Sequence, residues 1–307
     1  MAKERLHLVE VSVRDGLQNE PEILPTHTKL SMIDLALEAG FKRMEAGSFV
    51  NPARVPAMAD SAEVFANLKG RRDGVFIALA LNLRGLDRAI EAGALEVNYV
   101  FCCSDGFSIR NNGVSVAESL KAWPEAVAKA KGANVRLSAT LSTAFGCPFD
   151  GEVAVSQVAA IVGTVAAESP FEIALADTIG VAAPNDVKER FAVAMAIAPA
   201  VQWRAHFHNT RNTGLANAVA AVEQGVRVLD GSLAGIGGCP FAPGTAGNVP
   251  SEDLIYMFER MGFDTGVDLE AAIAAARFIG EALGKRTPGM VSRAGGFPKR
   301  AVTGGVP

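Results

Sequence analysis

At 307 residues the chain is long enough for one α/β barrel or two ordinary domains, and its 49% hydrophobic and 20% charged residues exclude disordered and fibrous classes. The formal net charge is −4 and the basic residues come in ones and twos, as at Lys42-Arg43 and Arg71-Arg72, which argues against nucleic acid as a partner. The opening residues lack the apolar core of a secretory signal and no uncharged apolar run approaches bilayer length, so a cytoplasmic protein with no membrane partner is expected.

Short apolar runs alternate with amphipathic segments along most of the chain. The alternation predicts strands at 6–11, 43–46, 75–79, 95–100, 135–141, 171–176, 201–206 and 226–232, with helices between them at 29–39, 62–68, 86–92, 117–131, 153–167, 184–197 and 215–223. Gly40, Gly93 and Gly225 each follow a helical segment shortly before the next strand, as helix C-termini favour. Further helices are expected at 252–260 and 269–283, followed by a Gly/Pro-rich tail that should be loosely held. Eight strand–helix units in a row predict a closed (β/α)8 TIM barrel. The expectation is a single domain over 1–307, with extra C-terminal helices in 251–307 and no dividing linker. No Gly-x-Gly-x-x-Gly follows the first strand, which weakens a dinucleotide-binding alternative.

Active sites of such barrels form at the C-terminal ends of the strands, so polar residues there carry weight. Strand one runs into Arg14-Asp15-Gly16-Leu17-Gln18-Asn19-Glu20, strand two ends in Glu45, and strand six in Asp177-Thr178-Ile179-Gly180. Strand seven ends in His206-Phe207-His208, whose imidazoles at i and i+2 point the same way from an extended chain. Alone, the pair also reads as two polar residues at a strand end, so partners decide. Asp15, His206, His208 and the amide oxygen of Asn248 make a mixed N/O set for an octahedral Mg²⁺ or Mn²⁺; zinc fits these hard oxygen donors less well.

Cysteines stand at 102, 103, 147 and 239, in neither a disulfide framework nor a zinc pattern. Cys102, Cys103 and Cys147 read as packing residues. Cys239 differs, because Gly231, Gly235, Gly237 and Gly238 precede it and give its loop, near 235–248, freedom to move.

The stretch from Val9 to Glu20 resembles the opening of 3-hydroxy-3-methylglutaryl-CoA lyase, a member of the DRE-TIM metallolyase group, and Gly235 to Gly244 resembles that lyase's glycine-rich cysteine loop. Ser48-Phe49-Val50, Gly146-Cys147-Pro148-Phe149, Asp177-Thr178-Ile179-Gly180-Val181 and the stretch from Glu252 to Met257 extend the likeness over nearly the full chain. Isopropylmalate and homocitrate synthases and carboxyltransferase domains resemble the barrel and metal residues but lack the cysteine loop. The resemblance implies a TIM barrel, a divalent cation, an acyl-CoA thioester substrate and a homodimer. It also implies metal ligation by Asp15, His206, His208 and Asn248, catalysis by Arg14 and Cys239, and a surrounding polar shell that includes Gln18, Glu45 and Asp177.

The implied reaction cleaves 3-hydroxy-3-methylglutaryl-CoA to acetyl-CoA and acetoacetate by a retro-Claisen step. A cation chelated by the C3 hydroxyl and far carboxylate acidifies the alcohol, and Asp15, or His206 sharing the role, accepts the proton. Arg14 would stabilise the enolate oxygen and Cys239 would protonate its carbon. Glu45 and Asp177 are expected to pair with Arg14, and Arg110 is the candidate for coenzyme A phosphates.

The usual family pattern after strand seven, His-x-His-Asp-Thr-Tyr-Gly-Gln, is here His206-Phe207-His208-Asn209-Thr210-Arg211-Asn212-Thr213, which puts an added arginine beside the metal residues, and a family tyrosine aligns with Thr140. These departures leave open a related 3-hydroxyacyl-CoA such as citramalyl-CoA. A condensing transferase and a non-enzymatic binding barrel stand as rival readings.

Overall fold

The computed structural model describes residues 3–238 and 247–298. Among them, strands β1 (His7–Glu10), β2 (Arg43–Ser48), β3 (Val75–Ala80), β4 (Glu96–Cys102), β5 (Arg136–Ser142), β6 (Glu172–Asp177), β7 (Gln202–Phe207) and β8 (Val228–Gly231) pair in parallel, each with the next. His7 to Glu10 also pair with Val228 to Gly231, which closes the (β/α)8 barrel. The helices are α1 (Thr26–Ala39), α2 (Ser61–Leu68), α3 (Leu83–Glu91), α4 (Asp105–Asn111), α5 (Val116–Lys121), α6 (Trp123–Gly132), α7 (Val155–Ala166), α8 (Pro184–Ile197), α9 (Gly214–Glu223), α10 (Ser251–Arg260), α11 (Leu269–Ala282) and α12 (Val291–Ala294). None is long and apolar enough to cross a membrane.

The main core lies between sheet and helices, where outward strand residues such as Met44, Phe76, Tyr99 and Leu137 meet the inner helix faces. Val9, Val11, Ile77 and Val228 form a separate small apolar cluster. Other inward positions are largely polar: Glu45, Asn98, Thr140, Ser142, His206 and Asp230 all line one cavity. The three joint glycines have φ of 109°, 87° and 103° at Gly40, Gly93 and Gly225, so each helix ends in the left-handed turn its sequence called for.

Four expectations need correction. Strand one stops at Glu10, and Ser12–Gly16 form one π-helical turn that carries Arg14 and Asp15. The single helix expected at 117–131 is two, because a Ser115/Glu118 capping box starts α5 and Pro124, at the second position of α6, starts another. The short α4 was not expected at all; it interrupts the connection after β4. The tail is anchored through residue 294, since Asp253 accepts the Met290 and Val291 N–H groups and Ser292 is buried.

Candidate active site

The site grows from the C-terminal ends of β1, β2 and β7. Alternate residues of a strand share a face, so β7 sends Arg204 and His206 inward, and His208, just past its end, follows in step. The π turn after β1 is packed tightly, with no room for a side chain at Gly16 beside Ile236 and Ser232, and it presents Asp15 to the histidines. Asp15 Oδ2 lies 3.5 Å from His208 Nε2 and 3.8 Å from His206 Nε2. Among the described residues these three form a group that could hold a metal ion, with one donor atom from each within 4.8 Å of the others. The Asn248 amide nitrogen donates to Asp15 Oδ2 at 2.7 Å and to the Ile236 carbonyl at 3.1 Å. Rotating that amide presents its oxygen to the same spot.

The donor set suits a hard divalent cation on geometry as well as chemistry. One carboxylate and two imidazole nitrogens crowd together at spacings that neighbouring ligands of one ion adopt. Gln18 lines the cavity, and its Oε1 is buried without a hydrogen-bond partner.

Arg14 is buried and held from two sides. Its Nε donates to Glu45 Oε2 at 2.6 Å and its Nη1 to Asp15 Oδ1. Burial opposes the guanidinium charge, but Asp15 and Glu45 outweigh it and raise its pKa further. Burial likewise works to raise Asp15, yet the Arg14 charge and the two imidazoles hold it well below the usual carboxylate range. Glu45 follows the same logic: burial opposes ionisation, while Arg14 and Arg204 bring the pKa below its ordinary value. At His206 burial disfavours the imidazolium, and the hydrogen bond to Asp230 together with Asp15 reverses that, raising its pKa.

The expected shell divides. Glu45 pairs with Arg14 as foreseen. Asp177 does not, because both its oxygens accept backbone N–H groups, from Val181 at 2.9 Å and Ala182 at 3.0 Å, and so tie down the turn after β6. Arg211 donates to the Ile179 and Gly180 carbonyls, each at 3.0 Å. Thr140 does line the cavity. Arg110 is at the cavity too, folded over the Phe149 ring at 4.0 Å and bonded to the Gly106 carbonyl at 2.8 Å. Cys102, Cys103 and Cys147 are buried, and burial pushes the Cys102 thiol up to about 11. Cys239 lies outside the described residues. Gly238 before it lines the cavity, and its carbonyl accepts from Asn19 at 3.0 Å.

Two residues escaped sequence reasoning. Asp230 on β8 sits 3.0 Å from His206 Nδ1, and Arg204 is fully buried beneath it. The signal for Arg204 was its parity, two residues before His206; a lone aspartate in a short strand gave none.

The cavity holding these groups is about 600 Å³, a size suited to a small-molecule site. Arg54, Arg84, Arg88 and Arg110 line it along with the inward residues.

Comparison with known proteins gives a consistent picture. The family model described as HMGL-like matches residues 5–279. The chain is 39% identical to a mitochondrial hydroxymethylglutaryl-CoA lyase from Gallus gallus over 95% of its own length and 98% of that protein's. It is 40% identical to an (R)-citramalyl-CoA lyase from Chloroflexus aurantiacus, with 95% of each chain covered. A solved HMG-CoA lyase from Acinetobacter baumannii, in complex with coenzyme A and 3-methylmalate, superposes with a TM-score of 0.91 at 39% identity, covering 98% of each chain.

Proposed function

The chain belongs to the HMGL-like family, and from that premise we propose that it is a divalent-metal-dependent carbon–carbon lyase cleaving 3-hydroxy-3-methylglutaryl-CoA to acetyl-CoA and acetoacetate. The observation that carries the reading is the meeting of Asp15, His206 and His208 beside the buried, doubly paired Arg14 at the inner end of the cavity. When bound, Mg²⁺ or Mn²⁺ held by Asp15, His206, His208 and the Asn248 amide oxygen would act as a Lewis acid that acidifies the substrate's C3 hydroxyl.

The residues then have distinct tasks. Asp15, kept ionised by Arg14, has low proton affinity and accepts the C3 hydroxyl proton only from an acidified alcohol; His206 flanks it as the alternative acceptor. As the C2–C3 bond breaks, its electron pair moves onto the thioester as an enolate and C3 becomes a ketone. Arg14 retains N–H groups beyond those bound to Glu45 and Asp15, and these meet the enolate oxygen with a charge that burial does not remove. Cys239, assigned by resemblance, delivers a proton to C2 and recovers one from the base. Arg54, Arg84, Arg88 and Arg110 supply cationic groups at the cavity wall for the coenzyme A phosphates. The family likeness also carries the expectation of a homodimer.

A second reading has its own support in the (R)-citramalyl-CoA lyase relative and in the small Thr140 on the cavity wall. Citramalyl-CoA shares the C3 tertiary alcohol and the thioester, with its carboxylate one carbon nearer. One methylene is worth only about 1–3 kcal/mol of discrimination, so both thioesters belong in the assay. The test is acetyl-CoA release with Mg²⁺ or Mn²⁺ present, and identification of the second product. Acetoacetate from the six-carbon acyl group supports the first reading, pyruvate from citramalyl-CoA alone selects the second, and no acetyl-CoA from either ends the lyase reading.

A further inference from the structure

Beneath His206 and Arg14 lies a set of buried charges that the cleavage chemistry does not touch directly. Asp230 Oδ2 is 3.0 Å from His206 Nδ1, and Asp230 Oδ1 is 3.6 Å from Nε of the fully buried Arg204. Arg204 Nη2 lies 3.8 Å from Glu45 Oε1 and donates to Thr140 Oγ1 at 3.3 Å. Thr140 donates to Asn98 Oδ1 at 2.9 Å, and the Asn98 amide donates to Glu45 Oε1 at 2.8 Å. Both routes from Arg204 therefore end on Glu45, the residue that grips Arg14.

We infer that Asp230 and Arg204 are positioning residues that set His206 and Arg14 relative to each other. A carboxylate accepts hydrogen bonds and does not donate them, so Asp230 requires the proton of the neutral imidazole to sit on Nδ1. The lone pair is then on Nε2, the nitrogen that faces Asp15. The guanidinium of Arg204 has a planar fork and spans Asp230, Thr140 and Glu45 at once. Its charge sits between the carboxylate behind the imidazole and the carboxylate behind Arg14 at ion-pair distance, and its one hydrogen bond, to Thr140, joins the chain through Asn98 to Glu45. The consequence for metal affinity rests on the proposed ligand role of His206; the tautomer does not.

The experiment has three arms. In metal-free wild-type protein labelled with ¹⁵N-histidine, at a pH where His206 is neutral, NMR should show its proton on Nδ1. In calorimetric titrations Asp230→Asn should bind Mn²⁺ about 10–100-fold more weakly than wild type, with a thermal melt that still shows a folded barrel. Arg204→Lys, which keeps the charge and loses the fork, should lower kcat at saturating Mn²⁺ with little change in KM. A His206 proton on Nε2 in the wild type, or wild-type Mn²⁺ affinity in Asp230→Asn, overturns the inference. Failure of the wild type to bind Mn²⁺ would instead count against the ligand set, and the tautomer measurement would still decide the role of Asp230 without any variant.

Discussion

Arg14 shows how much one side chain is asked to do. Its Nε is committed to Glu45 and its Nη1 to Asp15, so the guanidinium plane is fixed before substrate arrives. A lysine carries the same charge on a single nitrogen, whose three donors diverge from one point and cannot reproduce the planar fork that grips Glu45 and Asp15 through separate nitrogens. Arg14→Lys should therefore leave Mn²⁺ affinity near that of wild type and reduce kcat by roughly 10²–10³, the usual loss when a donor to a developing oxyanion is removed. Steady-state rates alongside calorimetry check this, and a kcat within about threefold of wild type would remove Arg14 from the enolate step. The Arg14 charge that orients Asp15 also lowers its proton affinity, which favours the proposed ligand role over strong base catalysis.

At the scale of elements, the site depends on two short turns that hydrophobic periodicity does not reveal. The π turn Ser12–Gly16 swings Arg14 and Asp15 over the barrel mouth, yet its sequence reads only as polar residues after a strand. The His206 and His208 spacing was readable, because a two-residue period is what a strand imposes, and so was the barrel, from repeated strand–helix alternation. Asp177 was misplaced because strand-end position locates a residue, but which backbone groups it caps depends on how the following turn folds. The second turn, Leu233–Gly235, leads toward the cysteine loop and is held by buried carboxylates. Glu10 accepts the Leu233 N–H at 3.0 Å and Glu252, in the first turn of α10, accepts the Ala234 N–H at 3.0 Å. Burial pushes the Glu252 carboxyl from its ordinary 4.5 up to about 8. The native state thus keeps a proton that the unfolded chain releases, so stability declines as pH rises from about 4.5 through about 8. Glu252→Gln retains an oxygen for Ala234 but does not titrate. Its melting temperature should fall less than wild type's across that window; parallel curves would show that Glu252 does not govern the decline.

Across the whole molecule, a lattice of alternating charge runs through the barrel interior beside the small apolar cluster of Val9, Val11, Ile77 and Val228, where many such barrels hold only layers of Val, Ile and Leu. At the N-terminal end Arg43 pairs with Glu96 and with Glu172, and Arg136 with Glu96. Arg204 in the middle reaches Glu172, Asp230 and Glu45, and Arg14 at the top joins Glu45 to Asp15. The lattice links the stability face of the barrel to its reactive face, so a charge removed at one end is felt by a fully buried guanidinium near the other. Glu172 is the node that tests this. It is completely buried, meets Arg43 at 2.7 Å and Arg204 at 3.2 Å, and accepts from Gln202 at 3.0 Å. Burial disfavours its charge, and the two guanidiniums more than compensate, holding its pKa below the ordinary value. Glu172→Gln removes the compensating charge while keeping shape, leaving the fully buried Arg204 and the partly buried Arg43 with one fewer partner each. Breaking a buried pair from one side typically costs about 3–5 kcal/mol, and the remaining carboxylates around Arg43 and Arg204 place this case at the lower end, about 3 kcal/mol. Urea unfolding of the variant against wild type measures it. A variant as stable as wild type would mean that the interior cations are satisfied without Glu172, and that the two faces of the barrel are electrostatically independent.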